Sequence, residues 1–255
     1  MNKTDDWLAL LLYAADLLMN PAPAKILAGY ESWDYRRRFK RHLRHLEQRQ
    51  LIQTSPPASA RRIQLTDRGR LVALGGRDPF ECWRRRWDGK WRIIMFDLPT
   101  GCQSARVRLI RWLRRCHFGY LQRSVWVHPD PMVQVRQALK EWADDAETMM
   151  VMEASCALGF SNAAIVVGAW DFTKINKGYQ EYLSLADKAP PLKRKADSAE
   201  AAWVHWLRQE RAGWLDAVSA DPLLPEGLLP KGYLGQQAAA ARQAVLARAG
   251  ELFGR

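Results

Sequence analysis

Between residues 87 and 152 the apolar pattern switches repeatedly between strand-like and helix-like spacing, and this alternation limits the fold more than any other feature of the chain. Residues 91–96, WRIIMF, are a short apolar run with one charged side chain, Arg92, closed by Asp97-Leu98-Pro99. A run this short that ends at proline reads as a strand. Residues 104–116 follow, with Val107, Ile110 and Leu113 at helical spacing and Arg106, Arg108, Arg111, Arg114 and Arg115 filling much of the rest. Residues 120–121 and 124–127 read as two strands joined tightly around Gln122 and Arg123, residues 133–142 as a second helix, and residues 149–152 as a further strand. The order βαββαβ is the split arrangement of a ferredoxin-like domain.

The chain ahead of this domain is short and basic. Residues 5–18 carry Leu8, Leu11, Leu12, Ala15 and Leu18 on one helical stripe. The segment NPAP at 20–23 ends that helix and starts another, to about residue 28, because Asn20 suits an N-cap and proline is tolerated in a first turn. After Gly29, Ser32 is placed to cap a third helix over 33–50. Three helices with a glycine-containing turn before the third suit a helix-turn-helix. Two short strands, 51–53 and 62–65, then flank the loop TSPPASAR, which is the plan of a wing, and residues 66–74 read as a closing helix.

In the third helix Phe39, Leu43 and Leu46 share one narrow stripe, with Tyr35 close to it, and that stripe must face a core. Arg37, Arg41, Arg44 and Gln48 then point the opposite way, Arg38, Lys40 and His45 lie on the flanks, and Arg36 sits nearer the apolar side. Arginine and glutamine pair bidentately with guanine and adenine edges. Arg61 and Arg62 fall where a wing touches phosphate or a minor groove. The candidate DNA-contacting set is therefore Arg37, Arg38, Lys40, Arg41, Arg44, Gln48, Arg61 and Arg62.

Charge supports the same partner. The formal net charge is +12, and residues 1–76 hold 13 Lys or Arg against 7 Asp or Glu. Residues 77–129 hold 12 against 4, whereas residues 130–189 hold 5 against 9. A polyanion, here duplex DNA, is the natural partner for the first half. Trp83 and Trp87, in the connector 77–90, are expected to pack between domains rather than stack on bases, since a duplex offers no unstacked base.

Beyond residue 153 the pattern weakens. Residues 163–167, AAIVV, are an apolar run that reads as one more strand, placed to pair with a partner subunit. A helix after Thr173, a linker at 189–195, a long helix over 199–218 and a final helix over 236–253 complete the chain. The segment DPLLPEGLLPKGYLG, rich in turn formers, is expected to be an extended, packed loop.

Several classes are excluded. There is no glycine-rich phosphate loop, no H-E-x-x-H and no serine elbow, so neither an enzyme nor a cofactor is expected. The four cysteines show no C-x-x-C spacing, which suits reduced thiols in a cytoplasmic protein. No apolar run is long enough to cross a bilayer, so no membrane partner is expected.

Four separated motifs carry a family resemblance: WDGKWRIIMFDLP, GYLQRSVWVHP, AWDFTKINKGYQEYL at 169–183 and DPLLPEGLLPKGYLGQQA at 221–238. In that order they resemble the PaaX family, bacterial repressors of phenylacetate-degradation genes and their relatives. The resemblance implies an α+β chain in three parts: an N-terminal winged helix-turn-helix (1–76), a linker and ferredoxin-like dimerisation domain (77–168), and a helical C-terminal effector and dimerisation domain (169–255). It implies a homodimeric, DNA-binding transcriptional repressor relieved by a small-molecule effector, for which an aromatic acyl-CoA is suggested. The central domain is also similar to the small nuclease of CRISPR adaptation, which places a metal-binding aspartate where Asp97 stands. The alternative reading is thus a metal-dependent nuclease built on the ferredoxin-like dimer, with Asp97 as the one candidate ligand for Mg²⁺.

Overall fold

A computed structural model describes residues 44–54, 63–73, 76–97, 103–132, 148–157, 159, 161–191 and 197–253. The helices expected before residue 44, the wing tip with Arg61 and Arg62, and the helix expected at 133–142 lie outside the described residues. The chain forms two compact units, one made of residues 1–78, 178–219 and 234–255, the other of residues 79–177 and 220–233.

The second unit is built on a four-stranded antiparallel sheet. β3 (Trp91–Asp97), β4 (Gly119–Gln122), β5 (Val125–His128) and β6 (Thr148–Ala154) lie in the order β4-β5-β3-β6. β3 pairs with β6 from Trp91↔Ala154 to Asp97↔Thr148, and with β5 from Arg92↔His128 to Met95↔Val125. This order, with α3 (Gln103–Arg115) between β3 and β4, fits the ferredoxin-like plan. The basic helix and the strands around it thus stand where the spacing predicts them.

Both faces of β3 are covered, which is why residues 93–96 run apolar without alternating. Ile94 and Phe96 pack with Leu109 and Leu113 of α3 and with Phe118 and Trp126. Leu109 and Leu113 are fully buried, and each such side chain contributes about 1.5–3 kcal/mol. Trp91 and Ile93 point to the opposite face, with Val127, Val166, Ala169, Leu224 and Leu228. α4 (Asn162–Ala169) and the loop 220–233 supply that second cover.

α4 corrects the strand expected over 163–167. Ser161 caps it, its Oγ accepting from the Ala164 amide at 3.3 Å. Trp170 closes it by donating its amide to the Val166 carbonyl at 3.2 Å. The run AAIVV has no polar face, so its sequence carries neither a helical nor a strand period, and the cap decides. Gly119 of β4 admits the end of this helix: a Cβ there would lie 2.6 Å from the Trp170 ring and 2.7 Å from the Ala169 Cβ. Trp170 also donates its indole N–H to the His117 carbonyl at 3.2 Å.

The connector 77–90 contains a short helix, α2 (Pro79–Arg84). Trp83 is buried and donates to the Tyr233 hydroxyl at 3.1 Å, and that hydroxyl donates to Asp221 Oδ2 at 2.5 Å. Asp221 Oδ1 accepts from the Leu223 amide at 2.7 Å and holds Leu223 in a left-handed conformation, φ 51°. Trp87 packs on Trp91, ring centroids 5.4 Å apart. The segment DPLLP at 221–225 is therefore a packed loop, buried along its length, and a 3₁₀ turn at Glu226–Leu228 follows it.

In the first unit, β1 (Ile52–Thr54) and β2 (Ile63–Leu65) form an antiparallel hairpin, followed by α1 (Asp67–Ala73). α5 (Phe172–Ala186) passes from the second unit into the first, where α6 (Asp197–Ser219) and α7 (Gly235–Phe253) join it. Tyr179, Tyr182, Trp203, Leu207, Trp214 and Ala239 fill the helical core. α5 lies against α6 at Gly178, where a Cβ would make an ordinary contact, 3.6 Å from the Ala217 Cα.

Candidate nucleic-acid interface

The described part of the expected interface is the joint between the end of the expected third helix and the hairpin that follows it. Residues 44–48 are helical, Leu46 is fully buried, and Arg44, His45, Glu47 and Gln48 are exposed. Arg44 and Gln48 are one turn apart and share the side away from Leu46. Gln50 then adopts a left-handed conformation, φ 56°, and the Leu51 amide donates back to the Leu46 carbonyl at 2.9 Å. That reversal ends the helix and turns the chain into β1.

Thr66 pins this joint from the other side. Its hydroxyl donates to the Gln50 carbonyl at 2.6 Å, and its amide donates to the Leu51 carbonyl at 3.1 Å. The same hydroxyl accepts from the Gly69 amide at 2.9 Å, which makes Thr66 the N-cap of α1. Gly69 packs so tightly against the Leu51 backbone that no Cβ fits. The motif TDRG at 66–69 thus fastens helix, hairpin and α1 together, a role its capping pattern alone did not reveal.

Of the eight candidate DNA contacts, the structure describes two, Arg44 and Gln48. Arg37, Arg38, Lys40, Arg41, Arg61 and Arg62 lie outside the described residues. Asp97, the candidate metal ligand, is exposed at the end of β3, with Arg106 Nη2 3.7 Å from its Oδ1.

The sequence reading missed the polar centre of the helical core. Glu210 is fully buried and accepts from the Tyr182 hydroxyl at 2.7 Å and from Arg242 Nε at 3.0 Å. The Arg242 guanidinium lies over the Trp214 ring, 4.9 Å from its centroid, and Arg248 lies over Trp203 at 5.6 Å. Among the described residues, the indole N–H groups of Trp203, Trp206 and Trp214 and Nε of Arg211 are buried on α6 without an acceptor. The signal available in the sequence was the pair Glu210-Arg211 and the single Arg242, set among otherwise apolar helix faces.

Comparison with known proteins bears on these elements. The family model described as "PaaX protein central Cas2-like domain" matches residues 84–166, and that described as "PaaX-like protein C-terminal domain" matches residues 170–252. The transcriptional repressor PaaX of Escherichia coli is 29% identical over 187 residues, which take in 68% of this chain and 56% of the repressor. The chain thus spans about half the length of that relative. The uncharacterized protein Rv0674 from Mycobacterium tuberculosis superposes with a TM-score of 0.51 at 19% identity, over 95% of this chain and 97% of that one, a likeness of fold. Two consecutive segments that together fill most of the sequence carry one family's signature, and the chain belongs to the PaaX family.

Proposed function

We propose that this chain is a sequence-specific, DNA-binding transcriptional regulator that acts as a homodimer in the cytoplasm. The observation that carries the reading is the match to both PaaX family segments, together with the likeness to a protein named a transcriptional repressor. Arg37, Arg41, Arg44 and Gln48 enter the major groove, Arg38 and Lys40 flank them on phosphate, and Arg61 and Arg62 lie on the backbone or in the minor groove. The exposure of Arg44 and Gln48 opposite the buried Leu46 supports this division of the helix.

The central sheet is the dimerisation element in this reading. β6 is an edge strand in the sheet order, and Met150, Val151 and Met152 on it are exposed. An edge of that length and character favours pairing with another chain. The C-terminal helices receive the effector, an aromatic acyl-CoA by family resemblance. Such a ligand relieves repression only if it prefers the arrangement that cannot hold DNA.

The test is selection of duplex sites from random DNA by the full chain, followed by anisotropy titrations on selected and random duplexes over a range of salt. With about six phosphates neutralised, log affinity falls against log salt with a slope near −5. Equal affinity for selected and random DNA overturns sequence-specific recognition, and a flat salt response overturns DNA binding.

A further inference from the structure

Helix α3 carries five arginines and no acidic residue over its 13 positions. Its inner face is settled by packing: Ala105, Leu109 and Leu113 are buried, and the leucines belong to the sheet core with Ile94, Phe96 and Trp126. At 3.6 residues per turn Arg108, Arg111, Arg114 and Arg115 fall on the other side, and all four are exposed. Arg106 alone lies on the flank, near Asp97.

This arrangement works against the helix itself. Arg111 has like-charged neighbours at i−3, i+3 and i+4, and like charges at those spacings destabilise a helix. Arg114 and Arg115 gain from the negative end of the helix dipole, but Arg111, in the middle, does not. Among the described residues no carboxylate forms an ion pair with Arg111, Arg114 or Arg115. A solubilising face usually intersperses both signs of charge, and this one holds a single sign on a rigid support.

A row of planar guanidinium groups without acids suits one kind of partner, a chain of phosphodiesters. Past Gln103 and Ser104 in the first turn, the exposed face of α3 offers only Val107 and the arginines, so a contact made here would hold phosphate and read no bases. We infer that the outer face of α3 is a second, sequence-independent contact for the phosphate backbone of duplex DNA, made by the central unit in addition to the winged helix. The inference rests on the DNA-binding reading above and adds to it a function for the Cas2-like segment.

The experiment uses the full chain and a labelled duplex of random sequence. The triple variant Arg111→Gln/Arg114→Gln/Arg115→Gln is compared with a control of equal charge loss, Lys174→Gln/Lys177→Gln/Arg208→Gln, at three other exposed positions. Losing three phosphate contacts flattens the slope of log affinity against log salt by about 2–3 units. The control leaves the slope unchanged, and Arg111→Lys retains it. Circular dichroism melts check the fold, and removing like charges from α3 is expected to leave the melting temperature at or above that of the parent.

The inference is overturned if the α3 variant keeps the parent slope, or if the control flattens it equally and net charge alone matters. It is also overturned if the α3 variant loses self-association in sedimentation, because the arginines then face protein. Parent protein that binds duplex while the α3 variant keeps its slope refutes this inference and leaves the DNA-binding reading standing. Parent protein with no salt-dependent duplex binding refutes both.

Discussion

Arg92 Nη2 lies 2.5 Å from Asp88 Oδ2, and Arg92 Nη1 lies 2.8 Å from Asp88 Oδ1, so the two side chains meet as a bidentate pair across the turn that leads into β3. The turn needs Gly89, whose φ is 80°, and Asp88 closes it by accepting from the Lys90 amide at 3.0 Å. Arg92 is buried; its Nη1 also donates to the Pro129 carbonyl at 3.0 Å, and its Nε donates to Glu153 Oε1 at 3.3 Å. One arginine thus ties the start of β3 to the chain following β5 and to β6.

The Arg92 hydrogen bonds hold the Asp88 carboxyl at about 2, below its ordinary 3.8. Folding therefore favours the ionised form, and the pair's contribution is full above about pH 4 and lost as pH falls toward about 2. Asp88→Asn should lower the urea midpoint near neutral pH, and the gap to the parent should close progressively below about pH 4. Because the Asp88 side chain is 44% exposed, the neutral-pH loss should be small. A gap independent of pH would show that the pair adds no ionic term.

Glu210 and Arg242 are both buried, and each leaves the other as an uncompensated charge when removed. Arg242→Met should cost about 3–5 kcal/mol in chemical denaturation, and Glu210→Leu a similar amount. The double variant Glu210→Leu/Arg242→Met should recover much of that loss, because neither charge then remains. Additive losses in the double variant would contradict a coupled pair.

Gly119 should tolerate no side chain. Gly119→Ala forces its Cβ against the Trp170 ring and the Ala169 methyl, a clash worth about 1–3 kcal/mol. Trp170→Phe, which vacates part of that space, should make Gly119→Ala milder in a double-mutant cycle read by thermal melts.

On the proposed recognition helix, Arg37→Ala and Arg41→Ala should each cost about 1–3 kcal/mol on the selected site and less on random DNA. Arg36→Ala should change the ratio little. Lys40→Ala and Arg61→Ala should weaken all sequences alike and flatten the salt slope by about one unit each. The measurement is the ratio of selected to random affinity at fixed salt, and a ratio unchanged by Arg37→Ala and Arg41→Ala would remove this helix as the reader.

Much of the central sheet was legible because its elements carry opposite periods: WRIIMF has no helical spacing, and Val107, Ile110 and Leu113 gave the helix its period, although packing turns Ala105, Leu109 and Leu113 inward and leaves Val107 exposed. The three long helices after residue 171 were legible for the same reason, sustained length. The run AAIVV was not, because a short segment without a polar face has no period to read. Glu210 and Arg242 stand 32 positions apart, and nothing local announces that they meet. Arg44 and Gln48 were legible as an exposed pair once Leu46 was recognised as an inward residue.

The loop 220–233 returns from the helical unit to complete the central one, and Leu224 and Leu228 close the face of Trp91 and Val127. The central unit is therefore a discontinuous module. A fragment cut at residue 169, where one family segment gives way to the next, would expose that apolar face and aggregate, whereas a graft that carries residues 79–177 with 220–233 keeps its cover. Chimaeras between members of this family would succeed or fail on whether both pieces come from the same parent.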